Sequence, residues 1–187
     1  MQEVNLMELT ENTLSSKEIF KGKIIKVRVD KVALPDGNES TREIVEHADA
    51  VAVVAIDDDE NVWMVRQYRK PVELTLLEIP AGIIEENEDP LAGAKRELAE
   101  ETGLRAGHWE KILSYYSSPG FSDEMLYLYM ARNLTEGEAS LDKDEFLKIE
   151  KIPLEKAYRL IFEGKILDGK SIIGIQHAYF RLKKQGG

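Results

Sequence analysis

Gly82-Ile-Ile-Glu85-Glu86-Asn-Glu88-Asp89-Pro90-Leu91-Ala-Gly-Ala94-Lys-Arg96-Glu97-Leu98-Ala-Glu100-Glu101-Thr102-Gly103-Leu104 is the stretch on which the reading of this chain turns. Asp89 before Pro90 is a strong helix start, an N-cap side chain followed by a proline whose missing N–H costs nothing there. Gly103 after Thr102 is an equally strong stop. The helix predicted between them, Pro90 to Thr102, carries Leu91, Ala94 and Leu98 on an apolar side. Glu97, Glu100 and Glu101, three and four positions apart, project from overlapping parts of one face. Like charges at that spacing destabilise a bare helix, and hard divalent cations with oxygen ligands would offset them. Arg96 lies four positions before Glu100 and within reach of Glu88, so it reads as an organiser of the carboxylates. The competing reading is a solvated acidic helix. Against it, the acids cluster at the C-terminal end, where the macrodipole disfavours each by roughly 0.3–1 kcal/mol, and glycines bracket the segment.

Upstream, the text from Ser16 to His47 reads as strands joined by turns, alternating around Ile25, Val27 and Val29, with Leu34-Pro-Asp-Gly-Asn as a hairpin turn. Ala50 to Ile56 is a continuous apolar run, expected of a strand buried on both faces. Asp57 to Glu60 is acidic, but a hairpin tip explains it better than a metal site. Leu76 to Gly82 is a short strand running into a loop over Ile83–Glu88. Beyond the helix, strands are predicted near His108–Tyr116, Met125–Arg132 and Glu145–Ile152. Leu154–Gly164 reads as a helix, and Ile172, Ile175, Tyr179 and Leu182 mark the buried stripe of another. The whole is an α+β chain, with a central sheet flanked by helices and a strand-rich N-terminal extension.

Composition narrows the function. The chain has 187 residues, no cysteine and a formal charge of −10. The acidic balance argues against nucleic acid as partner, and the missing cysteines exclude thiolate nucleophiles and zinc-thiolate sites. His47, His108 and His177 lie apart and read as structural or surface residues. No apolar run is long enough to span a bilayer, and Met1–Asn12 is no signal peptide, so no membrane association and a cytoplasmic location are expected.

The spacing Gly82, Glu88, Arg96-Glu97-Leu98, Glu100-Glu101, Gly103-Leu104 resembles the Nudix box with each defining position filled. That resemblance implies a Nudix-type α/β/α sandwich with a mixed central sheet. It places a catalytic domain at 46–187 and a dimerisation extension at 1–45. It also implies a magnesium-dependent diphosphate hydrolase, with manganese as the alternative ion. Glu97 and Glu101 would be the principal metal ligands and Glu100 a further ligand or water-holder. The Ala81 carbonyl often serves too. Gly82 and Gly103 would be structural, as would Glu88 paired to Arg96.

Pro119 falls sixteen positions after Gly103, within Tyr116–Glu124. This loop, with Arg42–His47, Gln67–Arg69 and Glu78–Gly82, resembles the ADP-ribose pyrophosphatase branch. The implied reaction is ADP-ribose plus water to AMP plus ribose 5-phosphate. Arg42 and Arg69 would be diphosphate ligands, a surface ion pair being the alternative for each. Phe20 or Tyr68 would stack on the adenine. The general base would come from a loop outside the box, Glu145 first and Asp144 second, against the reading of that loop as merely solvated. Related enzymes use the extension to build a homodimer, which is expected here. The rivals are a hydrolase of another nucleotide sugar such as GDP-mannose, and a non-catalytic nucleotide-binding module on the same fold.

Overall fold

A computed structural model of the chain describes residues 9–140 and 146–185. The order of elements is β1 (Asn12–Lys21), β2 (Ile25–Ala33), β3 (Glu39–His47), β4 (Ala50–Ile56), β5 (Asn61–Arg69), β6 (Leu74–Glu78), β7 (Ala81–Ile83), α1 (Pro90–Thr102), β8 (Leu104–Tyr116), β9 (Met125–Glu136), β10 (Leu147–Pro153), α2 (Leu154–Phe162) and α3 (Gly169–Gln185).

Contacts divide the chain into two units. The first runs to Ala48 and takes in Tyr116–Met125; the second is Asp49–Tyr115 with Leu126 onward. The loop carrying Pro119 falls in the first unit because it pairs with β3. Val45 N donates to Phe121 O at 2.7 Å, and His47 N donates to the Asp123 carboxylate at 2.9 Å. The first unit is otherwise an antiparallel sheet of order β1-β2-β3. All ten residues of β1 are exposed, including Leu14, Ile19 and Phe20.

The second unit is built on a mixed sheet of order β10-β5-β4-β9-β8, with β6 on β5 and β7 on β4. The parallel pair is β4–β9; β4–β5, β5–β10, β5–β6 and β4–β7 are antiparallel. All seven residues of β4 are buried, as its unbroken apolar text predicts. Their alternation makes two cores. Ala50, Ala52, Val54 and Ile56 share one with Leu128, Met130, Ile175 and Ala178, and thus with α3. Val51, Val53 and Ala55 share the other with Ala94 and Leu98 of α1 and with Tyr129 and Ala131. A strand with period two buries alternate side chains on opposite faces. Helices on both faces follow, and the architecture is the expected α/β/α sandwich.

Three boundaries shift for local reasons. The strand predicted over Leu76–Gly82 is two strands, because Pro80 has no N–H to give a ladder. Ile83, expected in a loop, closes β7, where it pairs with Ala50. β8 begins at Leu104, four residues earlier than read, because Gly103 (φ 72°) turns the chain from helix straight into strand. Among the described residues no helix is long and apolar enough to cross a membrane.

Candidate active site

Helix α1 is held at both ends by the residues that predict it. The Asp89 carboxylate accepts from Leu91 N at 3.0 Å and Ala92 N at 3.2 Å, and Gly103 N donates to Ala99 O at 2.9 Å. Ala94 and Leu98 are fully buried against β4, and this fixes the rotation of the helix. The acids are thereby turned toward the β6–β7 connection.

Two contacts join that connection to the helix. The Ala81 N–H donates to Oε2 of Glu101 at 3.0 Å, and Glu101 is only 2% exposed. Glu97 lies directly over Gly82, so that a Cβ there would stand 2.0 Å from the Glu97 carboxyl carbon. Only glycine admits this approach.

Arg96 organises the remaining acids. Its Nε and Nη2 reach the two oxygens of Glu88 at 3.0 and 2.9 Å. Nη1 reaches Glu97 at 2.7 Å and Glu100 at 2.9 Å, and Nη2 also donates to the Ile83 carbonyl at 3.0 Å. The Arg96 bond holds the Glu88 carboxyl below its ordinary range, against a smaller upward push from burial. Hydrogen bonding to Glu88 first, and to Glu97 and Glu100 as well, drives Arg96 far above the ordinary arginine value.

One guanidinium therefore faces three carboxylates, Glu88, Glu97 and Glu100, and Glu101 follows next on the same helix, bonded to Ala81 N. The surplus is anionic oxygen, the donor type that hard divalent cations prefer. As the side chains stand, no group of three acids or histidines among the described residues is gathered as a ready-made cation cage. The residues fit a cation in their chemistry: hard oxygens, a negative excess and a glycine cradle for Glu97.

The structure thus brings Ala81, Gly82, Glu88, Arg96, Glu97, Glu100 and Glu101 together, with Gly103 at the end of the same helix. Arg69 is in the same unit, with Nε and Nη2 each 2.8 Å from the Glu78 oxygens. Tyr68 beside it is 52% exposed. The other candidates belong to the first unit. Arg42 pairs with Glu11 and bonds to Ser40 Oγ and the Thr41 carbonyl. Pro119 occupies an exposed turn closed by Phe121 N on Ser118 O at 3.1 Å, and Phe20 is 53% exposed. Glu145 and Asp144 lie outside the described residues.

Sequence reasoning passed over the partners of Arg69. Glu78 is 1% exposed and also takes the ammonium of Lys170. Burial pushes its carboxyl up, but Arg69 and Lys170 together draw it down further, to a net value below normal. The signal was an acid closing the apolar strand Leu74–Glu78.

A family profile described as NUDIX domain matches residues 46–172. The chain belongs to the Nudix family of hydrolases. A second profile, described as nucleoside diphosphate sugar hydrolase N-terminal domain, matches residues 11–45 of this Nudix protein. It is 46% identical to the methanol dehydrogenase activator of Bacillus methanolicus, over 89% of this chain and 91% of that one. It is 43% identical to the ADP-ribose pyrophosphatase of Bacillus subtilis strain 168, over 96% and 97% respectively. A crystal structure of an ADP compounds hydrolase superposes with a TM-score of 0.84 at 21% identity, covering 95% of this chain and 97% of that one, and shows the shared fold. Nudix hydrolases generally use divalent metal ions.

Proposed function

We propose that this Nudix hydrolase splits ADP-ribose with water into AMP and ribose 5-phosphate, using magnesium. The observation that carries the reading is the junction of the β6–β7 connection with α1. Gly82 admits the Glu97 carboxylate and Ala81 fixes Glu101, so two acids of one helix are seated against the start of β7. The 43% identity to an ADP-ribose pyrophosphatase along almost the whole chain supports the choice of substrate.

Glu97 and Glu101, with Glu100 and the Ala81 carbonyl, would hold the ion. A bound divalent ion supplies charge neutralisation at the diphosphate and a lowered pKa for water. The protein's part is positioning. Arg96 keeps Glu97 and Glu100 from repelling one another, and Glu88 keeps Arg96 in place. Arg69 is the proposed guanidinium ligand of the diphosphate and Arg42 a second, since planar forks match phosphate oxygens. Pro119 belongs to the proposed substrate loop. Glu145 is the proposed general base, with Asp144 second. The fully exposed β1, with Leu14, Ile19 and Phe20 uncovered, supports a homodimer made through the first unit.

The test is release of AMP from ADP-ribose with and without magnesium. Metal-dependent AMP release is expected. The 46% identity to a methanol dehydrogenase activator favours a second reading, action on a partner enzyme. Stimulation of a dehydrogenase by a chain that releases no AMP would establish that reading over the first. Light scattering should give twice the chain mass at micromolar concentration, and a monomer would rule out the dimer.

A further inference from the structure

Glu78 is a buried acid that the reaction outlined above does not use. It closes β6, is 1% exposed, and sits in a connected set of polar contacts within the second unit. Its two oxygens take Nε and Nη2 of Arg69, both at 2.8 Å, and one of them also takes the Lys170 ammonium. The Lys170 ammonium also lies 3.0 Å from a second carboxylate oxygen, Oδ1 of Asp168. Oδ2 of Asp168 accepts from the hydroxyl of Ser171. The fully buried Ser171 hydroxyl accepts from Ile79 N at 2.8 Å. The start of α3 is thus fastened to residues 78 and 79, immediately ahead of Pro80 and Ala81. Pro80 O in turn accepts from Val53 N at 2.9 Å, and Ala81 N is spent on Glu101.

The consequence falls on Arg69. A guanidinium gripped along one edge by a carboxylate cannot rotate, and its opposite edge is aimed. Here the gripped edge is Nε with Nη2, and Nη1 makes no hydrogen bond to any described residue. The Arg69 side chain is 39% exposed, whereas that of Glu78 is 2% exposed. Glu101 and Asp168 both act on its charge, which places it within electrostatic reach of the acids of α1. A second cation on Glu78 keeps Arg69 from being wholly neutralised by its anchor.

We propose that Glu78, supported by Lys170, is a positioning residue that locks one edge of Arg69 so that the other edge is presented to the substrate diphosphate. This rests on the reading of Arg69 as a diphosphate ligand. It adds that the ligand's aim is set by Glu78 of β6 with Lys170 of α3 behind it.

The test is a double-substitution cycle on the full chain with ADP-ribose and magnesium. Arg69→Met should raise KM, and Glu78→Gln should raise it similarly, by on the order of 10-fold, the scale for loss of an orienting partner. In both, kcat should change by less than about threefold, because binding rather than the reacting centre is touched. With Arg69→Met already present, Glu78→Gln should add nothing to KM, since the two act as one unit. The same pattern should appear in the Kd of ADP-ribose measured by calorimetry with Glu101→Gln in place to arrest turnover. If Glu78→Gln does not fold, Glu78→Gln with Lys170→Met removes both buried charges together and replaces it in the cycle. Additive effects of the two substitutions, or an unchanged KM in the Glu78 variant beside a raised one in Arg69→Met, would overturn the positioning role alone. An unchanged KM in Arg69→Met would overturn the ligand reading and this inference with it.

Discussion

The backbone N–H of Ala81 donates to Oε2 of Glu101 at 3.0 Å, so the first residue of β7 and the penultimate residue of α1 hold one another. An acid in that position has its orientation set by the sheet and not by its own rotamer preference. Glu101→Gln keeps an amide oxygen able to accept the same N–H, and the fold should survive. What disappears is the formal charge. Turnover should fall by roughly a hundredfold or more, as when one preorganised electrostatic group is taken from a reacting centre. Circular dichroism should be unchanged while kcat collapses; unaltered magnesium-dependent turnover would remove Glu101 from the metal-binding set.

Gly82 offers a complementary test, since it alters Glu97 without touching its chemistry. A methyl group at Gly82 would stand 2.0 Å from the Glu97 carboxyl carbon, inside any permissible contact. Gly82→Ala must therefore push that carboxylate aside while leaving every acid present. Displacing an orienting contact costs on the order of 10–100-fold in activity or metal affinity. A magnesium titration of kcat/KM should show the loss, with an increased magnesium requirement. Full activity at the original magnesium concentration would mean that the position of Glu97 over Gly82 is irrelevant to the reaction.

Much of this was legible in the sequence because each signal was local. Asp89, Pro90 and Gly103 delimit α1 by their own backbone chemistry, and the unbroken apolar run of β4 declares burial on both faces. Glu88, Arg96 and Glu100 are spaced to meet on one helix and its lead-in loop. What escaped is what depends on distant pairing. Nothing near Glu78 in the sequence announces Lys170, ninety-two residues away. Nothing near Pro119 announces that its loop pairs with Val45 of β3. The break of one predicted strand into β6 and β7 was readable at Pro80 and was missed.

Glu78 also gives stability a pH dependence of known sign. Arg69 and Lys170 hold its folded carboxyl below the ordinary value of 4.5 despite its burial. The unfolded chain therefore binds the proton more readily, and stability rises with pH across that interval. The contribution is complete above the unfolded value and is lost as pH falls through the lower, folded one. Denaturant midpoints measured between about pH 3 and 6 should drop at the acid end. In Glu78→Gln with Lys170→Met that drop should be shallower; an identical acid profile would show that other carboxylates control it.

Arg96 allows the brace and the cation to be separated. It bonds Glu88, Glu97 and Glu100 at once, and its side chain is 25% exposed. Arg96→Met keeps the apolar stem but leaves those three acids without their guanidinium. Loss of charge-assisted hydrogen bonds of this kind costs about 1–3 kcal/mol. The loss should be greatest in EDTA, where nothing replaces the missing positive charge. A ligand that binds only the folded state stabilises it by mass action, so millimolar magnesium should recover part of the deficit. Urea midpoints for both chains, each with EDTA and with magnesium, give four numbers and one decisive difference. An equal deficit under both conditions would make Arg96 a brace alone and would argue that the acids around it do not hold the ion.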